Sequence, residues 1–283
     1  MEIYSFNRSQ GNFGDDLNRY IWPKLLSRYL NSEAPSAQFV AIGSVLDERL
    51  LQFPAVEVFG AGTRGPVTNL CGHHGLKVHF VRGPCTAQTS PFRGSEFIAD
   101  PAYCLALLGY KTANPSANAP VGFVPHYHTL PSADWQRVCD ELGFVLISPE
   151  AGVERVLELI SQCKLILSEA MHGAIAADCL RIPWIPISLR TRLSEGSVGA
   201  WKWADWLGAM ELSLNRVKVP FPFPEDSATT NFQRIKRGFK LSVCKHWLAA
   251  VARREPFLSK DVVWKEKIDR LDEKIETLNR AML

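Results

Sequence analysis

The sequence predicts an α/β protein made of two doubly wound domains that face a cleft. Short apolar runs typical of buried parallel strands alternate with helical patterns along most of the chain. A stretch rich in Pro, Asn, Ser and Ala at Thr112–Pro120 has the composition of an exposed linker and divides these patterns into two units. The length of 283 residues and the 46% hydrophobic content suit two domains with substantial cores.

The first unit, residues 1–113, carries the first set of strand and helix patterns. Strands are predicted at Glu2–Phe6, Gln38–Ile42, Val56–Phe59, Lys77–Val81 and Phe97–Ala99. Helices are predicted at Leu17–Leu30 and Pro101–Leu108. This alternation is typical of a parallel sheet covered by helices.

The second unit, residues 119–214, repeats that alternation. Strands are predicted at Val121–Tyr127 and Phe144–Ile147, and helices at Ser132–Leu142 and Gly152–Cys163, with Ser132 as an N-cap. The apolar run Leu165–Leu167 predicts a further strand, and the small residues of Gly173–Leu180 predict the helix that follows it.

The last region, residues 215–283, begins with a Pro-rich crossing segment and continues with helices that brace the domains. The stretch Gln233–Arg254 has seven Lys or Arg residues and no acidic residue, with apolar residues at helical spacing among them. This basic amphipathic helix is interpreted either as a solvated face over a packed face, or as a contact for anionic lipid head groups or a phosphate-bearing acceptor.

The final helix places apolar residues at alternating spacings of four and three, namely at Trp264, Ile268, Leu271, Ile275, Leu278 and Met282. Such a heptad seam predicts either self-association as a homodimer or packing onto the protein's own body.

Composition argues against several classes of protein. A net charge of +3 is too mild to indicate a nucleic-acid partner. The seven cysteines form no CxxC pair and lie in apolar patterns, so they are expected to be reduced core residues. Neither a signal peptide nor a membrane-spanning apolar run is recognisable, so we expect a cytoplasmic protein that is at most peripheral at the inner face of the membrane.

The junction between Leu165–Leu167 and the following helix carries His172. In open parallel sheets ligands bind beyond the carboxyl ends of strands, where the free N–H groups of the next helix attract anions. His172 would face such an anion. The alternative is a histidine that caps its own helix.

Three further polar junctions follow predicted strands in the first unit, at Asn12–Asn18, Gly60–Gly62 and Arg82–Pro84. The Gly60-Ala61-Gly62 turn could offer amides to a phosphate or carboxylate. The Arg82 guanidinium could hold the same groups with two parallel hydrogen bonds, or could be a surface arginine paired with an acid.

Asp15 and Asp16 stand before the predicted helix at Leu17, where one is expected to cap the helix and the other could be a base. His126 and His128 are expected on one side of the strand that ends there. No third convincing ligand accompanies these histidines, and no metal site is predicted.

Six motifs resemble those of the polysaccharide pyruvyl transferases, especially the branch that makes pyruvate ketals on exopolysaccharide sugars. The resemblance spans Ile3 to Trp206. Its carriers are NFGDDLN at Asn12–Asn18, FGAGT at Phe59–Thr63, VRGPCTA at Val81–Ala87, ADPA at Ala99–Ala102, FVPHYH at Phe123–His128 and SEAMHGAIAAD at Ser168–Asp178.

This resemblance implies two Rossmann-like domains in a GT-B-like arrangement, with phosphoenolpyruvate as donor, a sugar hydroxyl pair as acceptor and no cofactor. It makes His172 the general acid, with Asp15, Asp16 or His126 as the base. The implied donor-binding residues are Arg82, Gly60, Ala61, Gly62 and Gly173. The implied acceptor-binding residues are Asn12, His128, Glu169 and Trp201. A lipid-linked acceptor is left open.

The chain departs from the family at one point. Many relatives have an arginine two residues before the histidine, where this chain has Ala170. The candidates for the missing anion contact are Arg82, Arg190, Arg192 and Lys202. Trp201, Trp203 and Trp206 could stack on sugar rings or pack between the domains.

Two other functions fit the same architecture, because a fold does not determine chemistry. A GT-B nucleotide-sugar glycosyltransferase could use Glu169 or Glu195 to hold a ribose. A noncatalytic scaffold could dock through the basic helix and the heptad seam.

Overall fold

Two parallel β-sheets form the framework of the protein in a computed structural model, which describes residues 1–31, 37–66, 69–110, 114–189, 192–213, 216–220 and 231–282. Within these ranges the side chains of residues 192–196 and 231–237 are not described. The predicted α/β class with parallel sheets is confirmed.

The first sheet has four strands in the order β1-β2-β3-β4. They are β1 (Glu2–Tyr4), β2 (Ala37–Val40), β3 (Ala55–Phe59) and β4 (Leu76–Phe80). The second sheet has five strands in the order β6-β5-β7-β8-β9. They are β5 (Val121–Val124), β6 (Phe144–Leu146), β7 (Leu165–Ser168), β8 (Trp184–Ser188) and β9 (Val217–Lys218). All pairings between these strands are parallel.

Helices connect and cover these strands in the described ranges. The α-helices are α1 (Phe13–Leu25), α2 (Ser27–Leu30), α3 (Pro84–Ala87), α4 (Trp135–Leu142), α5 (Val153–Ser161), α6 (Met171–Cys179), α7 (Arg192–Ala209), α8 (Asn231–Val251) and α9 (Asp261–Arg280). Shorter 3₁₀ helices occupy Glu48–Gln52, Pro101–Leu108 and Leu130–Ser132.

Three sequence predictions about these elements are wrong. The helix predicted from Leu17 begins at Phe13, because the carboxylate of Asp16 accepts a hydrogen bond from the Asn12 N–H at 2.9 Å and closes the first turn. Phe97–Ala99 is not a strand and makes only an isolated bridge from Phe97 to Val81. A proline follows closely at Pro101, and the chain turns there into a 3₁₀ helix.

The third error concerns α4. Ser132 was expected to cap it, but the Asp134 side chain accepts the hydrogen bond from the Arg137 N–H at 3.1 Å. The Ser132 hydroxyl instead donates to the Thr129 carbonyl, within the turn before the helix. Residues 114–120 of the predicted linker form neither helix nor strand, and residues 112 and 113 lie outside the described ranges.

Alternate residues of the second sheet face opposite layers, as the period of a strand requires. Leu165 and Leu167 pack in one cluster with residues of α4 and α8. Ile166, between them, packs in another cluster with residues of α5 and α6. That second cluster also contains Phe39 and Phe59 from the first sheet, so both sheets contribute to one core. The division into separate domains stays a prediction.

The last helix, α9, lies on the protein's own body. Ile268, Leu271, Ile275 and Leu278 of the predicted seam are buried in the core cluster that both sheets share. The Asn279 amide donates to the Leu25 carbonyl at 3.1 Å. Of the two alternatives for the seam, packing within the chain is therefore confirmed, and these residues are not available for a dimer. A homodimer through another surface stays a prediction.

Asp178 at the end of α6 fixes the connection between α8 and α9. Its buried carboxylate accepts four hydrogen bonds, from the Tyr103 hydroxyl, the Trp184 indole and both the N–H and hydroxyl of Ser259. These donors come from three separate parts of the chain, so one carboxylate joins them.

Two further predictions concern composition. Cys104, Cys139, Cys163, Cys179 and Cys244 are buried free thiols, as predicted, whereas Cys71 is exposed and Cys85 is half-buried. None of the helices in the described ranges combines the length and the apolar character needed to cross a lipid bilayer.

Candidate functional site

A cavity of about 900 Å³ lies among loops that follow strands of both sheets. In the second sheet the chain leaves β5 for β6 on one side and returns to β7 on the other. The carboxyl ends of β5 and β7 therefore form a topological switch point, where open α/β sheets bind ligands. His126 follows β5 and His172 follows β7, and both line the cavity.

His172 occupies the second position of α6, with a side chain that is 16% exposed. Its Nε2 lies 3.6 Å from Oδ2 of the fully buried Asp100. Its Nδ1 lies against Gly14, where a Cβ atom would be 2.1 Å away. Ala170 holds the N-cap position of α6. The ring is thus clamped between Asp100 and α1, and it does not cap its own helix.

Asp100 was quoted in the ADPA motif, but sequence reasoning gave it no role. Its Oδ1 accepts a hydrogen bond from the Ala102 N–H at 3.0 Å. Burial opposes ionisation, but the facing His172 and the nearby Arg82 outweigh it and hold the pKa of this carboxyl below its ordinary value. Asp100 is therefore an anion directed at the imidazole. The sequence signal that could have identified Asp100 as a site residue is its position after an apolar run and directly before a proline.

The two aspartates of α1 have different positions. Asp16 accepts the Asn12 N–H and caps the helix, so the prediction that one of the pair is a cap is confirmed. Asp15 lines the cavity and accepts a hydrogen bond from the Asn12 side chain. Burial raises the pKa of Asp15 above its ordinary value, although His172, Asn12 and Lys202 partly offset that effect.

Lys202 on α7 brings a cation into the same cavity. Burial and the neighbouring guanidinium groups of Arg82 and Arg64 lower the pKa of Lys202 to about 8, while Asp15 acts in the opposite direction. Arg64, which sequence reasoning did not single out, also lines the cavity. This part of the wall carries an excess of positive charge. Of the other candidates for the anion contact, Arg190 and the Arg192 side chain lie outside the described residues.

Arg82 lies beneath the cavity wall. It is fully buried, with Nε donating to Oδ2 of Asp205 at 2.9 Å and Nη1 donating to the Ser44 hydroxyl at 2.8 Å. Ser44 lines the cavity, whereas Arg82 does not. Of the two predictions for Arg82, pairing with an acid is therefore what the structure shows. The pair with Asp205 is buried, however, and not at the surface. Arg82 reaches the cavity through its charge and through Ser44.

The glycines expected to bind the donor are used in packing. The N–H groups of Gly60 and Gly62 already donate to carbonyl oxygens, at 2.9 Å in each case, and are not available to a ligand. A Cβ at Gly62 would lie 2.3 Å from the Arg82 guanidinium. Neither these two glycines nor Ala61 and Gly173 line the cavity. Close approach of neighbouring groups accounts for the glycines at these positions. Donor binding by Gly60, Ala61, Gly62 and Gly173 stays a prediction.

Three of the four expected acceptor residues, namely Asn12, His128 and Glu169, line the cavity. Glu169 is only 3% exposed, and its carboxylate accepts hydrogen bonds from the N–H groups of His126 and Leu189 at 2.9 and 3.3 Å. It therefore holds the loop after β5 in place. The His126 and His128 rings stack with centroids 5.2 Å apart, but β5 ends at Val124, so they lie in a turn.

The tryptophans of α7 are mainly packing residues. Trp203 and Trp206 lie against Trp184 with ring centroids 6.2 and 5.2 Å away, although Trp203 also reaches the cavity wall. Trp201 does not line the cavity, and its indole donates to the Thr63 hydroxyl at 3.0 Å. In the described part of the chain, no group of three or more His, Cys, Asp or Glu side chains is arranged to hold a metal ion.

Comparison with known proteins gives two matches. The model of the polysaccharide pyruvyl transferase family matches residues 63–190. The succinoglycan biosynthesis protein ExoV of Rhizobium meliloti (strain 1021) is 31% identical over 230 residues, which cover 78% of this chain and 68% of that relative. The family match contains Arg82, Asp100 and His172, whereas Asp15 and Lys202 lie outside it.

Proposed function

The chain belongs to the polysaccharide pyruvyl transferase family, and from this premise we propose that it moves the pyruvyl group of phosphoenolpyruvate onto two hydroxyls of a sugar in an exopolysaccharide precursor. The product is a pyruvate ketal. The observation that carries the proposal is the convergence of His172, Asp15 and Lys202 on one cavity at the carboxyl ends of the strands. We also propose that the two sheets belong to Rossmann-like domains in a GT-B-like arrangement.

The donor is a small molecule with a carboxylate and a phosphate, so its site must supply positive charge. Lys202 and Arg64 line one part of the cavity, and Arg82 adds its charge from beneath. The N-terminus of α6, with Met171 and His172 on the wall, adds the positive end of a helix dipole. In this proposal Lys202 takes the place of the arginine that many relatives have before the histidine.

His172 is the general acid of this proposal. Its Nε2 lies 3.6 Å from the Asp100 carboxylate, which orients the imidazole ring. The other nitrogen, Nδ1, lies beside the cavity-lining Gly14 and delivers its proton to the donor's methylene carbon. Asp100 is a positioning residue, since it acts through the imidazole.

Protonation turns the methylene into a methyl group and leaves cationic character on the central carbon. The first sugar hydroxyl adds to that carbon and gives its proton to Asp15, and the bond to phosphate then breaks. The second hydroxyl adds to the same carbon and loses its proton. One of the two released protons replaces the one given by His172, and the other leaves with inorganic phosphate. The raised pKa of Asp15 suits a group that accepts a proton near neutral pH.

No observation favours the glycosyltransferase alternative. Each Glu169 oxygen already accepts a backbone N–H group, so this carboxylate has a structural role in holding its loop. The Glu195 side chain lies outside those described. A noncatalytic scaffold does not require a fixed His172 or a Lys202 with a lowered pKa in the cavity, so it does not explain either feature.

The test is to incubate the purified protein with phosphoenolpyruvate and a panel of synthetic and lipid-linked glycosides. Release of inorganic phosphate together with a mass increase that matches a pyruvate ketal on one acceptor would support the proposal. His172→Gln should slow the appearance of both signals by about 10²–10⁴-fold, whereas His74→Gln, a matched change at an exposed loop histidine, should leave the rate unchanged. Binding of a nucleotide sugar in preference to phosphoenolpyruvate would overturn the proposal in favour of glycosyl transfer.

A further inference from the structure

The outer face of α8 carries two large aromatic side chains. Cys244, Leu248 and Val251 on the inner face are fully buried against the second sheet. Outside that buried face, Phe239 is 70% exposed and Trp247, about two turns further along, is 39% exposed. Exposed aromatic side chains on an otherwise well-packed helix indicate a surface that is covered by something else.

Basic residues follow the end of the helix that carries these rings. Arg253 and Arg254 are exposed just after the helix, and Lys240 is half-buried next to Phe239. We call Phe239, Trp247, Arg253 and Arg254 the basic aromatic face.

Within the stretch of sequence that carries this face, acidic residues do not offset the charge. None occurs in Gln233–Arg254. Glu141 of the adjacent α4 is paired with Lys245 and Arg137, and Glu255 is the first acid after the stretch. The basic aromatic face therefore has a positive charge that no acid on its own helix neutralises.

We propose that the basic aromatic face docks the protein on an anionic lipid bilayer. Aromatic rings settle at the boundary between head groups and acyl chains, and Lys and Arg beside them are attracted to anionic head groups. A nucleic acid would match the charge but would gain little from Phe239, and the net charge of +3 is small for such a partner. The inference does not rest on the proposed pyruvyl transfer.

The experiment measures sedimentation of the full chain with vesicles of phosphatidylcholine alone, or of phosphatidylcholine mixed with phosphatidylglycerol. Two variants test the face, Phe239→Ser and the pair Arg253→Glu with Arg254→Glu. Their matched controls lie on α9: Val262→Ser, at a side chain that is 73% exposed, and Lys265→Glu with Arg280→Glu, whose side chains are 70% and 73% exposed. Circular dichroism verifies that each variant is folded.

The protein is expected to bind the mixed vesicles and not the neutral ones, with an affinity that falls as salt is added. The double charge reversal on the face should weaken binding by about tenfold or more, and Phe239→Ser should weaken it as well, while both controls bind like the unaltered protein. Equal binding to neutral vesicles, an equal loss in the α9 controls, no vesicle binding, or tighter binding to duplex DNA would each overturn the proposal.

Discussion

Replacing Lys202 by arginine should remove a pH dependence from the capture of phosphoenolpyruvate. Lys202 lines the cavity, and its pKa is lowered to about 8 by burial and by two neighbouring guanidinium groups. Only the protonated ammonium attracts the donor's carboxylate and phosphate. An arginine at this position stays charged at every pH at which the protein is folded.

The expected magnitude follows from that pKa. With a pKa of about 8, roughly 90% of the free protein carries the ammonium at pH 7 and roughly 10% carries it at pH 9. The second ionisation of a phosphate ester, with a pKa of about 6, is already about 90% complete at pH 7, so it changes little over this range. The kcat/KM for phosphoenolpyruvate, which reports the free enzyme, should therefore fall about tenfold between pH 7 and pH 9.

The assay is the initial rate of phosphate release at low donor concentration across this pH range. The unaltered protein and the control Lys218→Arg, at an exposed lysine of β9, should both lose activity above pH 8. Lys202→Arg should retain activity there, and Lys202→Met should be weak at every pH. A profile without a decline near pH 8, or a decline that persists unchanged in Lys202→Arg, would refute the reasoning.

The same pKa has a consequence for stability. The folded-state pKa of Lys202 lies below its ordinary value of 10.5. The folded state therefore disfavours the charged form, and stability should rise as the pH increases from about 8 to 10.5. At neutral pH the charge costs at most about 3 kcal/mol, since each pKa unit corresponds to about 1.4 kcal/mol. Lys202→Met should thus raise the free energy of unfolding at pH 7 while it weakens donor capture.

Four other changes have defined outcomes. His172→Gln should lower kcat by about 10²–10⁴, the usual contribution of a general acid. Asp100→Asn should also lower kcat, with a smaller change in the KM for the donor. Phosphate-release kinetics measure kcat and KM for both variants. Gly14→Ala should reduce kcat while the circular dichroism spectrum stays near-native, because the alanine Cβ would lie 2.1 Å from Nδ1 of His172 and displace the imidazole. An unchanged rate would contradict the packing of His172 between Asp100 and α1. Asp178→Ala should lower the free energy of unfolding by about 3–5 kcal/mol, measured with urea, since it strands buried donors; a loss under 1 kcal/mol would contradict the four-bond arrangement.

Local signals predicted most of the framework. Apolar runs bounded by Gly, Pro and polar residues place seven of the observed strands to within a few residues, because a buried parallel strand must be apolar on both faces. Phe97–Ala99 has the same composition but no neighbouring strand along its length, and only the tertiary structure determines whether a partner is present.

The sequence could identify candidate side chains from their positions after strands, but it could not predict which of them are exposed to the cavity. Asp15 and His172 line the cavity, as their junctions suggested. Arg82 has an equally suggestive position, yet it is buried because Asp205 meets it from 123 residues away. No local pattern signals that pairing.

By itself the sequence determined the α/β class, the order of strands and helices, the family and the segments that carry polar junctions. Each of these depends on periodicity, composition or short motifs, which are local properties of the chain. The tertiary structure alone decided that Asp100 faces His172, that Lys202 lines the cavity above a buried Arg82, and that the α9 seam packs inward. These outcomes depend on contacts between distant segments, and burial and charge are properties of such contacts and not of the residues alone.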